Sequence, residues 1–294
     1  MRIVYIGTVE FSRTALRTLT LLNANIVGVV AKTASAFNAD FVDMSATALG
    51  GGIPYLAVSN INSPVAVQWI RERRPDVVFC FGFSQLLKKE ILTCAPMGVV
   101  GYHPAMLPRN RGRHPIVWAL ALGLTNTGST FFFMDEGVDS GDILSQEDVP
   151  ILYADTARTL YDKIAVTAQR QIAWFLPRLQ NGTYKREPQD ESKANHLRKR
   201  VAEDGHIDFR MSSGAIYNLV RALTSPYPGA HTCYRDAVVR VWAAEERSWG
   251  DPSVEPGKVL EVVNNYVLVK CDGGSILLTR HEFSDYPHVG DYLQ

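Results

Sequence analysis

His103 closes an apolar run, Gly98–Tyr102 (GVVGY), and opens a loop stiffened by Pro104 and Pro108. An imidazole gains and loses its proton near neutral pH, so a histidine at a strand's carboxyl end is placed to meet a ligand. The same position suits a histidine hydrogen-bonded at a strand end, and position alone leaves both readings open. The loop that follows, Pro108–Arg113 (PRNRGR), carries three arginines and a glycine. Guanidinium forks suit phosphates and carboxylates, and Gly112 permits close backbone approach. For any single arginine the alternative is a solvated basic loop. Further on, Asp135–Asp142 (DEGVDSGD) packs four acidic residues with two glycines, without the spacing of an EF-hand loop. A carboxylate beside a histidine fixes its tautomer and raises its basicity. Asp139 could do this if the fold returns the turn to His103.

Other chemistries lack their signatures. Gly7–Thr8 is not part of a GxGxxG, and Ser84 and Ser129 have no GxSxG context. Cys80, Cys94, Cys233 and Cys271 form no CxxC pair, and the seven histidines are dispersed, so no metal is expected. Thirty basic residues balance thirty acidic ones. Their distribution is uneven: no Lys or Arg lies between Lys32 and Arg71, and Val201–Gln294 holds eight basic against thirteen acidic residues. A chain that grips nucleic acid concentrates Lys and Arg, so no nucleic-acid partner is expected. No apolar run reaches the ~20 residues that span a bilayer, and the MRIVYIG start reads as a strand, so a cytoplasmic protein without membrane contact is expected.

The elements that must position these residues alternate. Arg2–Gly7, Ala24–Val30, Asp76–Cys80 and Met97–Tyr102 read as short apolar strands, with helices after Gly7 and over Ser63–Arg73. That pattern predicts a Rossmann-like α/β domain on a parallel sheet. A helix near Pro115 precedes strands Gly128–Met134 and Ile143–Ile151, then a long helix from about Asp155 to Leu179, ended by Asn181-Gly182. Residues 183–204 are highly charged and read as an exposed connector. Beyond them, one helix (Ser213–Leu223) and four β-branched strands predict a small, OB-like β-barrel. The domains expected are thus 1–182, the connector 183–204, and 205–294.

The segments GYHPAMLPRNRGRHP and TGSTFFFMDEGVDSGDIL resemble the signature of folate-dependent formyltransferases, and the 36 residues between His103 and Asp139 match that family's spacing. MRIVYIGTVEFS, FGFSQLLKKEIL, KRVAEDGHIDF and LVRALTSPYPGAHT extend the likeness over nearly the whole chain. The resemblance implies that an amine attacks the formyl carbon of N10-formyltetrahydrofolate, giving a tetrahedral oxyanion. His103 matches the catalytic histidine, and Asp139 the carboxylate that orients it. The pterin would lie against Phe83, Ser84, Gln85, Leu86 and Leu87 and against the turn bearing Glu136, Val138 and Asp142, largely through backbone groups. One position departs: the family's asparagine two residues before the histidine is Gly101. Loss of one oxyanion donor costs on the order of 10²–10³ in rate. A water, another side chain or a charged His103 is expected to compensate, in an active subgroup built around glycine rather than a weakened relative. Asparagine restored at 101 is expected to be tolerated if the pocket keeps its shape.

The resemblance narrows the acceptor. A methionyl-tRNA formyltransferase should carry a basic insertion after the second strand and a basic C-terminal domain, and this chain has neither. The NRGRHP loop is similar to the sugar-modifying branch, which implies a nucleotide-linked amino sugar, such as a 4-amino-4,6-dideoxy sugar or a nonulosonic acid precursor in surface glycan biosynthesis. Arg109, Asn110, Arg111, Gly112, Arg113 and His114 would approach it, in a homodimer. The alternatives are the transfer-RNA enzyme, a non-catalytic sugar-nucleotide or folate binder favoured only by Gly101, and a dinucleotide oxidoreductase.

Overall fold

The computed structural model describes residues 1–34, 39–248 and 251–294. In chain order it contains β1 (Arg2–Ile6), α1 (Glu10–Leu21), β2 (Asn25–Lys32), α2 (Ser45–Gly50), β3 (Tyr55–Val58), α3 (Pro64–Glu72), β4 (Val77–Cys80), α4 (Lys89–Leu92), β5 (Val99–His103), β6 (Arg111–Gly112), α5 (Pro115–Ala121), β7 (Asn126–Phe133), β8 (Ile143–Pro150), α6 (Ala157–Gln180) and β9 (His196–Leu197). There follow α7 (Ser213–Leu223), β10 (Ala230–Tyr234), β11 (Ala237–Arg247), β12 (Val259–Val263), β13 (Tyr266–Cys271) and β14 (Gly274–His281). Two compact units emerge, and they interleave in sequence: 1–115, 127–149 and 162–197 form the first, while 116–126, 150–161 and 198–294 form the second. The charged stretch 183–204, expected as a connector, divides between them after Leu197.

The first unit is built on a seven-stranded sheet of order β3-β2-β1-β4-β5-β7-β8. The strands β1 to β5 are parallel, and β7 runs antiparallel to β5, so the sheet is mixed rather than purely parallel. Central strands buried on both faces explain the uninterrupted apolar runs at β1 and β4. One face carries stacked and edge-on aromatics, Tyr5, Phe79, Phe81, Phe131 and, from α6, Phe175. The opposite face packs Val4, Ile6, Val78, Cys80 and Val99 against Ala66, Val67 and Ile70 of α3 and Ile91 of α4. Ser63 caps α3 by accepting from the Ala66 N–H, with Pro64 in its first turn.

The second unit holds a five-stranded antiparallel sheet, β10-β11-β14-β13-β12, with α7 against it. Its edge strands do not pair with each other. Residues 290–294 bridge them, bonding β10 through Cys233 and Gln294 and reaching the start of β12 through Gly257 and Val259. The barrel expected from the strand pattern is therefore closed by a segment with too little apolar pattern to be read as a strand. The strands β3, only four residues long, and β10, whose run is broken by His231 and Thr232, add to those read from the sequence.

The first turn of the parallel sheet is fixed by a buried hydroxyl. Ser12 Oγ accepts from the Thr8 and Val9 N–H groups at 3.0 and 3.1 Å and donates to the Phe81 carbonyl at 2.6 Å. Gly7 is required there, because a Cβ would sit 2.6 Å from that same carbonyl oxygen. Removing a hydroxyl that satisfies buried backbone groups costs about 1–3 kcal/mol. Ser12→Ala is expected to lower stability by that amount in urea unfolding, without changing the slope of the transition.

Candidate active site

His103 is the last residue of β5 and is buried, 5% exposed, rather than standing in a free loop. Its Nε2 lies 2.7 Å from the Asn110 carbonyl oxygen, which can only accept, so this nitrogen donates. Its Nδ1 faces Asp139 Oδ2 at 3.5 Å. The same Oδ2 accepts from the Gly112 N–H at 2.9 Å. One carboxylate oxygen thus joins a ring, a basic loop and an acidic turn, bringing together two residues 36 apart in sequence.

The route by which Asp139 arrives follows from the antiparallel strand. Phe133 pairs with Val100, and the Met134 N–H bonds the Val99 carbonyl, so the turn begins near the amino end of β5. His103 is at the other end, roughly 13 Å away at the ordinary rise of a strand. The turn must therefore fold back along β5. Gly141 makes this possible: a Cβ there would overlap the Phe133 carbonyl oxygen at 1.7 Å. Asp135 Oδ1 ties the turn internally by accepting from the Gly137 N–H and the Ser140 hydroxyl. Asp139 itself takes a left-handed backbone, φ 54°, uncommon for a residue with a side chain.

The basic loop is organised differently from expectation. Arg111 is 2% exposed, and its guanidinium is committed to Glu191 through two bonds of 2.9 and 2.6 Å and to Gln189 Oε1. Hydrogen bonding to the Glu191 carboxylate raises the guanidinium's pKa further above its ordinary value. Asn110 is likewise engaged, its N–H and side chain both meeting Asn195. Gly112 lies where a Cβ would come within 2.4 Å of the Leu197 carbonyl oxygen. Asn110, Arg111 and Gly112 are all engaged within the protein. They are so because residues 189–197 pack against them and pair β9 with β6. Arg109 and Arg113 remain exposed, and His114 is half-buried.

The 83–87 loop also splits. Gln85 spends its amide on the Ile61 N–H and the Ser59 carbonyl, and Leu87 is buried in the α3–α4 core. Phe83 is half-buried, while Leu86 (69%) and, on the acidic turn, Val138 (42%) are exposed. Glu136 is exposed, and Asp142 is half-buried, its carbonyl accepting from the Phe133 N–H. Ser84 draws two cations, accepting from Lys32 Nζ at 2.7 Å on its hydroxyl and from Arg113 at 3.2 Å on its carbonyl. Burial first, then the Arg113 charge, lowers the Lys32 pKa. Sequence reasoning missed Lys32, Met134, Gln189, Glu191 and Asn195. The last three lie in a charged run whose composition reads as solvent-exposed.

The space beside Gly101 is filled. A Cβ there would lie 2.7 Å from Met134 Cγ and 3.1 Å from Phe132 Cζ. A side chain at 101 therefore requires the Met134 side chain to move, which is the condition on which asparagine would be tolerated. Among the described residues, no three His, Cys, Asp or Glu gather into a group that could hold a metal. No helix among them is long and apolar enough to cross a membrane.

Two family models match: formyl transferase over residues 1–174 and formyl transferase, C-terminal domain, over 199–288. The chain belongs to the formyl transferase family. A methionyl-tRNA formyltransferase from Ruminiclostridium cellulolyticum is 32% identical across 307 aligned residues, covering 100% of this chain and 96% of that protein. A sugar 3N-formyl transferase solved in the presence of dTDP and 5-N-formyl-THF superposes with a TM-score of 0.69 at 20% identity, covering 94% of this formyl transferase and 96% of that chain. An N-formyltransferase from Helicobacter canadensis, in complex with folinic acid and dTDP-3-aminofucose, gives 0.71 at 17%, covering 94% and 98%. These two structures share the fold of this formyl transferase across both units.

Overpacking a close-fitted site costs about 1–3 kcal/mol. Gly101→Asn is expected to lower the unfolding midpoint accordingly, and adding Met134→Ala to restore most of it. Equal stability of Gly101→Asn and wild type in thermal unfolding would show that Met134 yields freely.

Proposed function

We propose that this formyl transferase moves a formyl group from N10-formyltetrahydrofolate to the amine of a nucleotide-linked amino sugar, with a 4-amino-4,6-dideoxy sugar the first candidate. The observation that carries the acceptor assignment is charge: no Lys or Arg between Lys32 and Arg71, and an acidic excess over Val201–Gln294. An acceptor stem would need phosphate contacts, for which the first region offers no cation and the second no basic excess. The solved sugar N-formyltransferases with dTDP or dTDP-3-aminofucose support the same class.

The chemistry asked of the residues is proton handling and charge stabilisation. The acceptor amine attacks the formyl carbon, the bond to folate N10 breaks, and the proton leaving the amine returns to N10. His103 is the group we assign to that proton and to the charge developing on the formyl oxygen. Both its ring nitrogens face oxygen acceptors, Asn110 O and Asp139 Oδ2, so Nε2 must exchange the Asn110 carbonyl for substrate to take up the amine's proton while Nδ1 stays on Asp139. Asp139 supports the positive form that results and fixes the ring plane. Turned from the Asn110 carbonyl, the protonated Nε2 would donate to the formyl oxygen in place of the asparagine's amide and pass its proton on to N10. Phe83, Leu86 and Val138 offer apolar surface, and the adjoining backbone offers polar groups, suited to a flat heterocycle such as the pterin. Arg109 and Arg113 are the exposed cations of the basic loop, suited to a sugar nucleotide's phosphates.

The relative at 32% identity supports a second reading, transfer to methionyl-tRNA. A tetrahydrofolate-release assay with UDP-, dTDP- and GDP-linked amino sugars and with initiator methionyl-tRNA separates the two. Release with one sugar nucleotide and none with the RNA is expected; turnover on the RNA alone would reverse the assignment.

A further inference from the structure

We propose that Gln189 is a positioning residue for the reaction, holding the Asp139 carboxylate on His103 from a segment outside the active-site motif. The inference rests on the reading of His103 and Asp139 as the reacting pair. Gln189 Nε2 donates to two carbonyls of the acidic turn, Asp139 at 2.8 Å and Gly141 at 2.7 Å. Its Oε1 accepts from Arg111 Nε at 3.2 Å and Nη2 at 2.8 Å. The amide can sit only one way round. Flipped, its oxygen would face two carbonyls and its NH₂ a guanidinium. Arg111 cannot drift, because Glu191 grips the other side of its fork. One side chain therefore fixes the backbone on both sides of Ser140, next to the residue that holds a left-handed conformation at φ 54°.

A second arm of the same segment reaches the ring. Asn195 holds Asn110 through the Asn110 N–H at 2.8 Å and the paired side chains at 3.2 Å. The Asn110 carbonyl is the acceptor for His103 Nε2. Residues 189–195 thus grip the carboxylate's turn at one end and the ring's partner at the other. Gln189 touches neither ring nor carboxylate, so it acts only through them. Misplacement of a reacting group by about 1 Å costs on the order of 10² in rate.

The test compares Gln189→Met and Gln189→Glu, which keep the length and lose both donated bonds, with Asp139→Asn. Two readouts apply: ring ¹⁵N signals of His103, assigned by their absence in His103→Gln, and kcat in tetrahydrofolate release. The ring signals of both Gln189 variants are expected to move toward those of Asp139→Asn. kcat is expected to fall about tenfold or more in wild-type background, and less than about twofold on Asp139→Asn, the non-additivity of residues acting through one group. Ring signals unchanged in folded variants would overturn the proposal, as would a full tenfold loss on Asp139→Asn. The NMR arm needs no turnover, so it stands if the acceptor assignment fails. If His103→Gln leaves transfer intact, the reading of the reacting pair fails instead.

Discussion

Asp139 Oδ2 is the atom on which the rest of the first unit converges. It accepts from the Gly112 amide and faces His103 Nδ1, so the carboxylate binds two loops that enter from opposite ends of β5. A carboxylate this close to a ring nitrogen is useful only if its direction is fixed, because a free one would turn to water. Its direction is set by backbone: a left-handed residue, a glycine pressed on the Phe133 carbonyl, and an antiparallel strand that delivers the turn to the correct face. The parallel strands supply the floor. The single reversed strand supplies the partner.

Much of this was legible. The alternation of short apolar strands with helices specified the α/β sheet, because strands covered on both faces are apolar throughout. His103 and Asp139 could be named together because the segments that carry them resemble the family's signature, whereas spacing alone left their meeting open. The reversal of β7 was not legible, since GSTFFFM reads the same in either direction. Nor was the role of Arg111: a guanidinium among charged residues looks solvated until Glu191 and Gln189, some eighty residues away, are folded onto it. The closing segment 290–294 has no strand pattern because it serves mainly through its backbone groups.

Gly101 and Met134 form a matched pair. Glycine carries no donor, and the Met134 side chain lies where a Cβ at this position would point. On the proposed reading the imidazole then meets the developing oxyanion, which raises the importance of the carboxylate behind it. The basic loop then divides its labour: Asn110, Arg111 and Gly112 hold the pair, while Arg109 and Arg113 face outward on the same loop.

The most direct measurement is the single-turnover rate of formyl transfer by Asp139→Asn at saturating donor and acceptor, with donor binding measured alongside by calorimetry. Asparagine keeps the shape and can still accept from Gly112, but it cannot support a positive ring. A rate at least about 100-fold below wild type is expected, with donor affinity within about threefold, since the lost interaction belongs to the transition state. A rate within threefold of wild type, in a folded protein that binds the donor, would contradict the assignment of the pair to the chemistry.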